Sequence, residues 1–143
     1  MNITPRIMNL SQKQLTQVSL NAAKGRNICA DYAKFTSGPV SYENLDKVFK
    51  AWVEDKSTTK ASNEEIASGI GCLFGELLKA EFCFGWQMIE DPYGCELALV
   101  DENTGSVVYP VNSVWKRIEP KSDTTPFFQP MHDSIKQHLD SLK

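Results

Sequence analysis

The run Phe84-Gly85-Trp86-Gln87-Met88-Ile89-Glu90-Asp91-Pro92-Tyr93-Gly94-Cys95-Glu96-Leu97-Ala98-Leu99-Val100-Asp101-Glu102-Asn103-Thr104-Gly105-Ser106-Val107-Val108-Tyr109 carries apolar residues at a period of two, broken twice by turn-forming residues. That is the period of strands, not helices. A four-residue loop at Asp91-Pro92-Tyr93-Gly94 sets Met88 opposite Leu97 and Trp86 opposite Leu99. A second turn over Asp101-Glu102-Asn103-Thr104-Gly105 then sets Val107 beside Leu99 and Tyr109 beside Leu97. Both turns place Phe84, Trp86, Met88, Leu97, Leu99, Val107 and Tyr109 on one face, and a slip of one residue would expose that set. The expectation is a three-stranded antiparallel meander ended by Pro110.

Its other face holds Gln87, Ile89, Ala98, Val100 and Val108, more apolar than a surface meant only for water. The terminal helices or a partner must cover it. With Trp115 just beyond the strands, these residues form the candidate partner surface.

Upstream, Asn63 to Ala80 has helical spacing, with Ile66, Ile70, Leu73 and Leu77 on one side and Phe74 and Leu78 beside them. Gly69, Gly71 and Gly75 each disfavour a helix by about 1 kcal/mol relative to alanine. Close packing must offset that cost, so another backbone, expected to be that of the sheet, should approach the glycine face.

Two helices precede it. Ser11-Gln12-Lys13-Gln14 has the form of a capping box and opens a helix with Leu15, Val18, Ala22, Ile28, Tyr32 and Phe35 as its stripe, stopped by Ser37-Gly38-Pro39. Ser41 caps the second, where Leu45, Val48, Phe49, Trp52 and Val53 recur opposite Glu43, Asp46, Lys47 and Glu54. Val111 to Glu119 reads as a helical turn or an extended arm. The last helix takes Thr125 as cap and Pro126 as first residue, with Phe128, Met131, Ile135 and Leu139 inward. The fold class is α+β: three N-terminal helices, the meander packed on the glycine-bearing third helix, and a C-terminal helix, in one domain spanning 1–143.

Bulk properties agree with one globular core. The 143 residues are 41% hydrophobic and 23% charged, which sets aside disordered and fibrous classes. A net charge of -3 offers no general attraction to nucleic acid or anionic lipid. Met1 to Arg6 lacks a secretory signal pattern and no apolar run reaches membrane-spanning length, so cytoplasmic location is expected and no membrane partner. Cys29, Cys72, Cys83 and Cys95 show no C-x-x-C pair and read as buried free thiols.

Candidate chemistry is sparse. His132 and His138 lie six apart on the last helix, on different faces, and read as surface or boundary residues; neither they nor the cysteines have metal-ligand spacing, so no metal or cofactor is expected. No nucleophile is placed beside a base, and no catalytic residue is assigned. Glu76 is flanked by apolar positions, and Lys116-Arg117 is the basic pair after the strands. An internal ion pair from Glu76 to this pair, Arg117 being favoured for its bidentate fork, is the structural reading. The functional reading is a cleft in which Glu76 acts as a base or Arg117 grips an anion.

Gly71-Cys72-Leu73-Phe74-Gly75-Glu76, then Trp86, then Pro110 to Val114 with Lys116-Arg117, resemble the pattern G-x-x-x-G-E, a strand tryptophan and P-x-x-x-V-x-K-R of an uncharacterised bacterial family, a domain of unknown function. The resemblance covers Glu64 to Ile118. It implies a bacterial source and the helix-then-meander core, and brings no activity. Three roles are therefore expected in order: a non-enzymatic protein-binding domain such as an immunity protein neutralising a toxin, a ligand binder or enzyme using the Glu76/Arg117 cleft, and an oligomerising structural or regulatory subunit.

Overall fold

Ser11 opens the first helix by the reciprocal bonds its sequence predicts: its hydroxyl accepts the Gln14 amide at 3.1 Å, and the Gln14 side chain accepts the Ser11 amide at 2.8 Å. The computed structural model describes residues 5–35, 39–118 and 124–142. Met1 to Thr4, the Ser37-Gly38 stop and Glu119 lie outside the described residues. Helix α1 is Gln12–Asp31, followed by a short 3-10 turn Ala33–Phe35. Helices α2 (Tyr42–Glu54) and α3 (Asn63–Glu81) start at Ser41 and Ser62, whose hydroxyls accept the amides of Asn44 and Glu65.

The chain then forms β2 (Phe84–Asp91), β3 (Gly94–Asp101), β4 (Val107–Val108), α4 (Pro110–Ile118) and α5 (Phe128–Ser141). The α+β class is as expected, with one strand more than the sequence suggested. Arg6–Asn9 forms β1, antiparallel to β2 at the edge of a sheet ordered β1-β2-β3-β4. Four residues are too few for alternation to register; pairing with Glu90, Ile89, Met88 and Gln87 defines this strand.

The first hairpin has the predicted register, with Trp86 opposite Leu99 and Met88 opposite Leu97. Asp91 and Gly94 form its last pair, so the turn tightens onto Pro92-Tyr93, and Gly94 takes φ of 132°. The second hairpin differs by one residue. Leu99 faces Val108, not Val107, and Val100 faces Val107. The Asp101 carboxylate accepts the Thr104 amide at 2.8 Å and its hydroxyl at 2.6 Å, the Gly105 amide bonds the Asp101 carbonyl, and the Asp101 amide bonds the Ser106 carbonyl. The loop thus holds one residue more than expected, which moves Val108 to the core and Val107 outward. Val108 is 7% exposed and Val107 is 38%.

The glycine face of α3 does admit close neighbours, though mostly helices instead of the sheet. A Cβ on Gly25 of α1 would lie 2.2 Å from the Gly69 carbonyl oxygen, and one on Gly71 would lie 2.7 Å from the Val111 Cα of α4. Only Gly75 meets the sheet, through the Trp86 indole at 2.2 Å from the same ideal position. Ile66, Ile70, Leu73, Phe74 and Leu78 fill the remaining faces of α3 and are fully buried, which offsets the helix cost of the glycines. In α1 the stripe Val18, Ala22, Ile28 and Tyr32 is buried, while Leu15 turns outward.

Helix α5 has no side-chain cap of its own, and Thr125 and Pro126 precede it instead of starting it. Asp46 of α2 takes that role across space. Its carboxylate accepts the amides of Phe127, Phe128 and Gln129 at 2.5, 2.7 and 3.1 Å, meeting the positive end of the helix dipole with a negative charge. The predicted stripe packs as expected: Phe128 and Leu139 are buried, and Met131 and Ile135 lean on the same core.

Candidate functional site

The helices lie on the Trp86 side of the sheet, where Phe84, Trp86, Leu99 and Val108 join the main core. Ile7, Ile89, Ala98, Val100 and Val107 face the other way and belong to no part of that core. At its centre Ile89 and Ala98 are nearly inaccessible, whereas Ile7 at the β1 edge is 51% exposed. Gln87 ties this face together by donating to the Asn9 side chain at 3.2 Å. Of the residues assigned to this surface from sequence, Gln87, Ile89, Ala98 and Val100 lie on it. Val108 does not, because of the register change, and Trp115 packs against the core from α4.

The β2–β3 turn continues the face with a different chemistry. Tyr93 stands 98% exposed at its tip, with Asp91 and Glu96 on this face and Glu90 on the Trp86 side of the same strand. Arg6 pairs with Glu90 at 3.2 Å. The acidic field reaches Tyr109, between β4 and α4: burial first, then the charges of Glu96 and Asp91, pushes its phenol up.

Glu76 and Arg117 do not meet. Gly75 contacts Pro110 at the start of α4, whereas Arg117 at its other end shares a cleft with Asn63, the first residue of α3. The two positions are therefore separated by about seven residues of α4, on the order of 10 Å along its axis at 1.5 Å per residue. Glu76 accepts the Trp86 indole N–H at 3.4 Å, which orients the indole wedged at Gly75. Arg117 donates to the Thr125 carbonyl at 2.7 Å and covers the Phe127 ring at 5.3 Å, so it anchors the segment leading into α5. Lys116 is exposed. Both the ion pair and the shared cleft are corrected: the antiparallel course of α3 and α4 puts the partners at opposite ends.

The sequence reading missed a polar junction. His132 is buried, not superficial: Nε2 lies 2.8 Å from Glu81 Oε2 and Nδ1 lies 3.0 Å from Asp133 Oδ1. Tyr42 stacks on its ring at 4.2 Å between centroids and donates its hydroxyl to Glu81 Oε1 at 3.0 Å. The signal was present, since His132 stands four residues after Phe128 and three before Ile135, on the inward stripe. The thiols also divide: Cys72 is buried and Cys29 half-buried, while Cys83 and Cys95 are exposed, and all four are free. Burial pushes the thiols of Cys72 and Cys29 up to about 11, which leaves them protonated and unreactive. Among the described residues no cluster of three or more His, Cys, Asp or Glu could hold a metal ion, and no helix is long and apolar enough to cross a membrane.

Fold and surface together define a small α+β domain with helices on one side of a four-stranded antiparallel sheet and an apolar, acid-rimmed face on the other. The chain belongs to the family described as "Domain of unknown function (DUF3806)", whose pattern matches residues 42–128. No curated protein matches it. It is similar in fold to a crystal structure from Bacteroides thetaiotaomicron VPI-5482, with a TM-score of 0.67 and 14% identity over 96% of this chain and 49% of that one. The chain thus spans about half the length of that protein.

Proposed function

We propose that this domain is a non-enzymatic binding module whose second sheet face receives a basic protein, in the manner of a bacterial immunity protein that neutralises a toxin by covering it. One observation carries the reading: an apolar face outside the core, with Ile7 51% and Val107 38% exposed, runs into an acidic turn bearing the fully exposed Tyr93. Exposed apolar residues beside an aromatic anchor and a charged rim are features shared with protein interfaces. The rim selects the partner's charge, because Asp91 and Glu96 on a chain of net charge -3 attract a cationic surface and repel an anionic one.

The test is calorimetric titration of the purified domain with the toxin domain encoded beside it, at low and high salt, paired with protection of cells on co-expression. Stoichiometric binding that weakens with salt is expected, falling at least about tenfold in Ile7→Asp and in Tyr93→Ala with unchanged thermal unfolding. The absence of both binding and protection would remove the proposal. So would light scattering that shows a dimer converted to monomer by Ile7→Asp, which assigns the face to self-association.

A further inference from the structure

We infer that His132 is a pH-sensitive latch: doubly protonated, it fastens α5 to α2 and α3, and losing one proton loosens that attachment. The geometry makes the argument. Each ring nitrogen faces a carboxylate oxygen, Nε2 that of Glu81 at 2.8 Å and Nδ1 that of Asp133 at 3.0 Å. A neutral imidazole owns one N–H, so either tautomer would turn a lone pair toward one of those oxygens. Only the imidazolium donates to both.

The groups around the ring come from every element that packs on it. Helix α2 supplies Tyr42, whose ring lies 23° from parallel to the imidazole and forms a platform for a cation. Burial, then its bond to Glu81, pushes the Tyr42 phenol up, so it stays a donor and fixes Glu81 from the second oxygen. Helix α3 supplies Glu81, and Phe82 beyond it lies 5.8 Å away, ring to ring. Helix α5 itself supplies Asp133, held by Gln129 at 2.9 Å, with Lys136 as the nearby cation. The His132 side chain is 11% exposed, against 39% for Glu81 and 63% for Asp133, so water screens the contact to Asp133 more than the one to Glu81. Burial alone would lower its pKa, but the bonds and charges of Glu81 and Asp133 outweigh it and hold the imidazole above its ordinary 6.5.

The sign follows. A group whose folded pKa exceeds the unfolded one stabilises fully below the unfolded value of 6.5, and that contribution disappears as pH rises through the raised value. Above it, α5 retains the Asp46 cap and its apolar stripe, while the tie from its second turn to α3 drops from a charged bond to the neutral Nε2–H donating to Glu81, with Nδ1 turned to the Gln129 amide at 3.5 Å, and so weakens. Opening would then expose Phe128, Met131, Ile135 and Leu139.

Hydrogen exchange of the α5 amides, corrected for intrinsic rates and measured at about pH 6 and about pH 8.5, reads this directly. The opening constant should rise with pH, by up to about tenfold for each unit that His132 titrates above its unfolded value. His132→Gln should remove the dependence. Glu81→Gln, a milder change, should move the His132 proton resonance midpoint downward. An opening constant equal at both pH values overturns the latch, as does the same pH dependence surviving in His132→Gln. A resonance midpoint for His132 at or below 6.5 does so without any variant.

Discussion

Replacing Asp46 by alanine should undock α5 without touching any residue of α5, because the cap sits on another helix. The carboxylate accepts three amides, two of them on Oδ1. Hydrogen bonds to a charged group contribute about 1.5–3 kcal/mol each when isolated. They are not additive here: Asp46 is only half-buried, and water can re-enter to solvate the freed amides. A net loss of about 2–3 kcal/mol is the reasoned figure, somewhat above the ~1 kcal/mol of a typical local cap, because the bond also joins α2 to α5. With an unfolding entropy of about 2.1 cal/mol/K per residue, that corresponds to a Tm lower by roughly 7–10 °C. Asp46→Asn keeps Oδ1 as an acceptor but turns an amide N–H toward the Gln129 N–H, so it should lose roughly half as much. Calorimetric melts with hydrogen exchange on α5 measure both. A Tm change under about 2 °C for Asp46→Ala would refute the cross-helix cap.

Gly25→Ala should destabilise by about 3 kcal/mol or more in denaturant titration, since the new Cβ would meet the Gly69 carbonyl at 2.2 Å, an obstacle that backbone cannot yield to cheaply. At an unconstrained helix position the same change stabilises by about 1 kcal/mol, so the sign alone decides. The register of the second hairpin is tested by a pair of substitutions. Val107→Asp should cost under about 0.5 kcal/mol and Val108→Asp at least about 3 kcal/mol, and the reverse order would restore the three-residue loop. Thiol titration of the native protein with a disulfide reagent should find Cys83 and Cys95 first, with Cys72 reacting only on unfolding; a fast Cys72 would contradict its burial.

The legible parts of this fold are those encoded locally. The capping box from Ser11 to Gln14 needs only four consecutive residues, and Ser62 to Glu65 forms another that the helical spacing of α3 left unread. The β2–β3 register needs only a short turn between two alternating runs. Hidden features depend on distant partners. The strand β1 exists because β2 offers an edge, and Arg6 gains Glu90 only there. The second turn was misjudged because the Asp101 carboxylate recruits Thr104 and lengthens the loop, an effect that hydrophobic alternation does not encode. Three glycines announced close packing but not its target, since a missing side chain says nothing about who fills the space. Glu76 and Arg117 looked like a pair on charge alone; the antiparallel run of α3 and α4 decided otherwise.

The segment that matches the family, 42–128, is smaller than the unit that must fold. Gly69 and Gly71 sit within it, but Gly69 is covered by Gly25 of α1, before the segment begins. Removing α1 would expose Gly69 and the buried residues around it, so α1 is an integral part of the core. At the other end the match stops at Phe128, the first residue of α5, where Asp46 has just accepted its amide. Beyond that point α5 is held by the Gln129 amide on Asp46, an apolar stripe, the His132 junction and a bond between His138 and Ser106 at 3.3 Å, whereas α1, α3 and α4 interlock through backbone-close contacts. The molecule therefore has two grades of attachment: helices interlocked at backbone distance, and a C-terminal helix attached through side chains, with Phe128 and Leu139 in the core and polar ties at Asp46, His132 and His138.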